Sequence, residues 1–108
     1  MSINETIVHY IKCCDGSEKR VMQRTISRHR SAFRNQLEAE ATVEKCILEL
    51  LKFNYIEEVK LNDMNEIEKQ LFLDDCCRVF RVVRKYNEDE FQKEKALLRE
   101  VLDIRNSL

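Results

Sequence analysis

Apolar residues recur at helical spacing along most of this chain. The pattern around which the others can be placed runs from Lys69 to Asn87, where Phe72, Leu73, Cys76, Val79, Phe80, Val83 and Tyr86 fall on one arc. Arg78, Arg81 and Lys85 lie on the opposite side, with Asp74 one turn before Arg78. No Gly or Pro interrupts the segment, so the pattern predicts an unbroken central helix around which the other elements are arranged. Upstream, Asn4 is the expected N-cap of a short helix with Ile7, Tyr10, Ile11 and Cys14 as its stripe, ended by an Asp15-Gly16 turn. Ser17 is placed to cap a longer helix reaching about Glu40, through Met22, Ile26, His29, Phe33 and Leu37. Arg20, Arg24 and Arg28 follow at spacings of four on its outer side, Arg34 lies on a flank, and Arg30 sits near the apolar edge.

Thr42 is the expected cap of the next helix, in which Val43, Cys46, Ile47, Leu50 and Leu51 form the stripe and Asn54 the stop. Tyr55, Ile56, Val59 and Leu61 then read as an irregular apolar connection from which Glu57 and Glu58 project. A very short helix is expected from Asn62 or Asp63 through Met64 and Ile67, with Glu66 and Glu68 exposed. Asn87-Glu-Asp-Glu90 has the form of an N-cap with acids in the first turn, opening a last helix to about Arg105. Phe33, Ile47, Leu50, Leu51, Phe80, Val83 and Leu98 are the expected core.

Composition narrows the class. A chain of 108 residues without Pro and with a single Gly lacks the turn residues that sheet proteins need, so an all-α, compact antiparallel bundle of five to six helices is expected. Hydrophobic residues at 44% and charged residues at 36% describe a globular domain with one core. The reading divides it into a short N-terminal helical extension over 1–16 and a bundle over 17–108. The five cysteines include two adjacent pairs but no Cys-x-x-Cys, and neither histidine lies beside a pair. They read as reduced, mostly buried small residues of a cytoplasmic protein, with no metal and no cofactor expected. No apolar run approaches the roughly 20 residues that span a bilayer, so no membrane partner is expected.

The net charge of -1 conceals segregation. Residues 18–36 carry six Lys/Arg against one acid, 37–68 three against nine, and 69–87 five against two. Alternating blocks point to self-complementarity rather than to general polyanion binding. His29, on the apolar side of its helix, reads as a partly buried histidine satisfied by a nearby polar group. No nucleophile and base pair, phosphate loop or catalytic carboxylate pair stands out, so no enzyme is expected.

The segment from Thr25 to Val101 resembles a caspase-recruitment domain of the death-fold superfamily. The likeness lies in Ile26-Ser-Arg-His29-Arg30-Ser-Ala-Phe33 as first helix and Val43 to Phe53 as second. It continues with a short third helix among acids, Lys69 to Tyr86 as fourth, and Asn87 to Glu100 as junction and fifth. Glu94 stands where the family usually has an apolar residue, and little chain is left for a sixth helix. The resemblance implies a non-enzymatic adaptor or inhibitor in apoptotic or innate-immune signalling that binds another such domain, in a caspase or adaptor, or itself. It implies a basic surface of Arg28, Arg30, Arg34, Arg78, Arg81 and Lys85. This would meet an acidic surface of Glu57, Glu58, Asp63, Glu66 and Glu68 on a neighbour, a heterologous contact that can propagate. Two alternatives remain from the residues alone. One is a small nucleic-acid-binding protein using the basic helix, disfavoured because the acidic block nearly cancels the basic one; the other is a helical subunit docking its apolar N-terminal stripe on a larger complex.

Overall fold

The computed structural model describes residues 1–13 and 15–107. It is mostly helical, with α1 (Ile3–Lys12), α2 (Glu18–Arg28), α3 (Gln36–Lys52), α4 (Glu66–Asp75) and α5 (Glu88–Ser107). Two short strands, β1 (Ile56–Glu58) and β2 (Phe80–Val82), pair antiparallel with Ile56 opposite Val82 and Glu58 opposite Phe80. The expected all-α bundle is therefore corrected to a helical domain with a small sheet.

Helix boundaries follow local capping. Ser2, not Asn4, caps α1, and its hydroxyl and the Glu5 side chain form a reciprocal capping box. Ser17 caps α2 by accepting from the Arg20 amide, as expected. That helix stops at Arg28 rather than near Glu40. A 3-10 turn at Arg30–Ala32 follows, and Phe33 is extended, which tucks its ring against the core. Asn35, not Thr42, then caps α3 by accepting from the Glu38 amide at 2.9 Å. Asn54 is the stop that the sequence indicates: its φ is 61°. The Asn54 and Tyr55 amides donate to the carbonyls of Leu51 and Leu50, closing a Schellman motif.

The expected central helix is broken at Cys76, which is left-handed (φ 50°, ψ 42°) and ends α4. The chain beyond it is a strand with partners on both edges. Phe80 N donates to Gly16 O at 2.7 Å and Glu18 N to Arg78 O at 2.8 Å on one side. On the other, Val59 N donates to Val79 O at 2.8 Å and Val83 N to Tyr55 O at 3.0 Å. Alternation then sorts its side chains. Phe80 and Val82 join the main core, whereas Val79 joins Val59, Met64, Leu71 and Phe72 under α4, and Arg81 reaches Glu68 of α4. A strand apolar on both faces matches a helical stripe over a few residues, and that is how the periodicity misleads here.

The main core unites Ile7, Val8 and Ile11 of α1 with Val21 and Ile26 of α2, Val43, Ile47 and Leu50 of α3, Tyr55, Ile56, Phe80 and Phe91. One face of α1 is thus part of the core, and Ile7 and Ile11, 0% and 5% exposed, are not available to dock elsewhere; Cys14 lies outside the described residues. Of the expected core, Ile47, Leu50 and Phe80 are buried and Phe33 and Leu51 half-buried, as is Leu98, but Val83 is exposed. The cysteines also differ from expectation. Cys13 and Cys76 are exposed, Cys46 and Cys77 are half-buried, and all four are free thiols. Among the described residues, no helix is long and apolar enough to cross a membrane.

Gly16 is fixed by close approach, not by the helix-ending turn expected of it, since Cys13 caps α1. A Cβ on Gly16 would run into the Phe80 carbonyl oxygen, a backbone atom that cannot swing away. Gly16→Ala is expected to destabilise the domain by about 1 to 3 kcal/mol through overpacking. Phe80→Ala, on the other face of that contact, should cost about 3 to 5 kcal/mol through a core cavity. Urea unfolding followed by circular dichroism checks both, and an unchanged midpoint in either variant contradicts the placement of this strand.

Candidate functional site

The residues expected to form a basic surface divide into two groups. Arg28, Arg30 and Arg34 stand exposed at the corner that joins α2 to α3. Arg34 reaches Glu38 at 3.9 Å while remaining 91% exposed; among the described residues, Arg28 and Arg30 are in no ion pair. Arg78, Arg81 and Lys85 were expected along one helix face, but they lie on and beside β2, so their helical spacing does not hold. Arg78 grips Glu18 of α2 through Nε at 2.8 Å and through Nη2, with its guanidinium over the Phe80 ring. Lys85 is exposed beyond the strand, beside a shallow cleft formed with Glu5, Val8, His9 and Lys12.

Arg81 joins the two surfaces that the sequence reading kept apart. Its Nε and Nη2 lie 3.1 and 2.6 Å from the two carboxylate oxygens of Glu68, and Nη2 also donates to the Asp63 carbonyl. Glu68, expected to be exposed on the acidic surface, is buried instead and caps its own helix: Oε1 accepts from the Asn65 amide at 2.9 Å. The Arg81 hydrogen bonds hold the Glu68 carboxyl below the usual range against the opposing effect of burial, and the Asn65 bond helps. Glu57, Glu58, Asp63 and Glu66 are exposed as expected. Glu57 sits opposite Arg81 across the sheet, Glu58 approaches Lys60 at 3.8 Å, and Glu66 approaches Lys69 at 3.6 Å. These side chains line a cleft with Val59, Lys60 and Arg81, apart from Glu66 and Glu68.

A second cluster was not anticipated. Arg84 lies 4.0 Å above the centre of the Tyr55 ring, donates to the Phe53 carbonyl at 3.2 Å, and pairs with Glu90 and Glu94. The Tyr55 hydroxyl donates to Glu94 as well, at 3.2 Å. Bonding to Arg84 keeps the Glu94 carboxyl low, and the Arg84 guanidinium is raised in turn, chiefly by Glu94. Glu94, out of place in a purely apolar stripe, thus ties α5 to the end of α3. The signal that could have found it was Glu90 and Glu94 at i, i+4, just after an arginine.

His29 matches its expected role. Its Nε2 is 2.7 Å from the Thr6 hydroxyl of α1, and burial, then the N-terminal charge and Arg28, lower its pKa. Next to the corner, Lys19, Met22, Gln23, Ile26, Arg30, Gln36 and Glu40 line an open cleft of about 380 Å³. Met22 and Ile26 are its apolar lining, and Lys19 and Arg30 its cations, beside the Glu40 carboxylate.

The Glu68 pair gives a pH dependence with a defined sign. A carboxyl depressed in the fold adds stability above its unfolded pKa, and that contribution disappears as pH falls through the lower folded value. Stability should therefore fall as pH drops below about 4.5, with Glu68→Gln less stable at neutral pH and its acid dependence flatter. Thermal melts of both proteins from pH 7 to pH 3 check this; parallel pH profiles would show that Glu68 is not a contributor.

Comparison with protein-family models, with curated proteins and with solved structures returned no match.

Proposed function

We propose that this chain is a non-enzymatic protein-interaction module that binds a protein partner through the basic corner of Arg28, Arg30 and Arg34. The observation that carries this reading is the contrast between arginines of the folded body. Arg20, Arg24, Arg78, Arg81 and Arg84 are each bound to carboxylates within the domain, whereas among the described residues Arg28 and Arg30 are in no ion pair, a condition shared by Arg99 and Arg105 near the end of α5. The paired ionisable groups serve the fold, so the reading assigns them no catalysis. A partner presenting an acidic surface with an apolar side chain for the Met22 and Ile26 floor fits both charge and shape. Glu57, Asp63 and Glu66 offer such acids on another copy of this domain. A homotypic signalling role of the caspase-recruitment kind is a special case of the same reading. A death-fold bundle, however, needs a continuous fourth helix where β2 stands, so the proposal rests on the charged corner and not on that fold.

Topology favours a second reading. Helices α1 to α3 followed by an antiparallel pair, with β2 also bonded to the α1–α2 junction, have the order of a winged helix-turn-helix. The second helix of that motif can enter a DNA groove. This is fold-level analogy. The outward side chains of α3 include Leu37, Glu40, Ala41, Glu44 and Leu48, and two carboxylates there would oppose phosphates.

Charge reversal tests the two readings together. Arg28→Glu with Arg30→Glu should leave the melting temperature unchanged, since exposed charges usually matter by less than about 0.5 kcal/mol. The same variant should abolish capture of an acidic-surfaced protein partner, or self-association rescued by Glu57→Lys with Glu66→Lys. Retention of partner binding by the variant contradicts the corner. Submicromolar, salt-sensitive binding of the wild type to duplex DNA, lost in the variant, would replace the first reading by the second.

A further inference from the structure

We propose that α5 forms a parallel helical pair with α5 of a second copy of this chain. Among the described residues, the fully buried and ion-paired side chains that tie this helix to the domain lie in its first half. Phe91 is fully buried, Glu94 is tied to Arg84 and Tyr55, and Lys95 reaches Glu49 at 2.7 Å. Leu98 is half-buried, and every residue from Arg99 to Asn106 is exposed. A helical segment of that length is marginal in water by itself. It also carries apolar side chains into solvent: Leu97 is 62% exposed, Val101 43% and Leu102 46%.

Spacing and charge identify what covers this face. Leu97 and Val101 are four apart, and Ile104 continues the repeat at seven, so they take the d, a and d positions of a heptad. Leu97 at d with the β-branched Val101 at a suits two parallel strands, and Ile104 adds one further apolar d position. Glu100 then falls at g and Arg105 at e, on opposite edges of the stripe. In a parallel in-register pair each g residue faces the e residue five positions along the partner, so Glu100 of one copy meets Arg105 of the other, twice by symmetry. An antiparallel pair sets g against g and e against e, which brings like charges together. The other charges of this segment, Arg99 and Asp103, lie away from the stripe. An outside partner helix would have to reproduce this polarity, whereas a second copy has it by construction.

This surface is separate from the Arg28 corner and does not depend on it. The test is sedimentation equilibrium of the full chain from about 5 to 500 µM. The wild type should show a monomer–dimer equilibrium, and Val101→Asp should weaken it at least about tenfold with an unchanged melt. Glu100→Arg should weaken it too, and Glu100→Arg with Arg105→Glu should restore it. A wild type that stays monomeric throughout, or dimerisation indifferent to Val101→Asp, overturns the proposal. So does failure of the charge swap to restore association, which removes the parallel register. Dimerisation abolished by Arg28→Glu with Arg30→Glu but not by Val101→Asp would assign it to the corner instead.

Discussion

The constraint on which this fold depends is the two-sided pairing of the strand around residues 78–83. One edge holds the junction between α1 and α2 through Gly16 and Glu18, and the other holds the segment leaving α3 through Tyr55 and Val59. Three parts of the chain distant in sequence are thereby joined by backbone hydrogen bonds whose burial leaves them no alternative partners. Side-chain alternation completes the arrangement. Phe80 fills the main core, Val79 and Arg81 anchor α4, and the absent side chain at Gly16 lets the backbones meet.

Ion pairs reinforce the same junctions. Arg78 links the strand to the first turn of α2, and Arg81 links it to α4. Asp75 at the end of α4 is held by the Ser17 hydroxyl and Arg20, which also lowers its pKa. Most of these side chains are partly exposed, and pairs of that kind contribute little individually to stability. Their larger consequence is positional: opposite charges from separate elements fix how those elements meet. Of these pairs, Arg81–Glu68 joins a basic segment to the acidic block of residues 37–68, whereas Arg20 and Arg78 meet Asp75 and Glu18, acids that lie outside that block.

Single polar caps and stops were legible at Ser17, Asn54 and Asn87 but not at Ser2, Asn35 and Asn65, where Asn4, Thr42 and Asn62 or Asp63 offered the same capping chemistry nearby. The break at Cys76 within residues 69–86 was not legible, because Val79, Phe80 and Val83 continue a helical stripe while Val79 and Phe80 equally suit a strand buried on both faces. What separates the readings is nonlocal: the strand exists because residues 16–18 and 55–59 are there to pair with it. The candidate site was legible to the same degree. Arg28, Arg30 and Arg34 needed only their neighbourhood, whereas the bond from Arg81 to Glu68 required knowing that β2 lies against α4. Glu94 looked like a defect in an apolar pattern until Arg84 and Tyr55 supplied its partners.

The basic corner draws its order from the core beneath it. His29 ends α2 and turns inward to the Thr6 hydroxyl, so the backbone at this position is tied to α1. Its neighbours Arg28 and Arg30 are thereby left outside, on either side of a fixed point. Because burial and nearby positive charge keep the imidazole pKa low, His29 contributes shape rather than charge at neutral pH. The cationic charges of the corner are its guanidinium groups, with the Glu38 carboxylate beside Arg34. Phe33 and the Asn35 cap hold the following turn, so less ordering of the backbone remains to be done when a partner binds. A surface loop with three arginines would be a diffuse positive charge; here the half-buried histidine and phenylalanine make it a defined one.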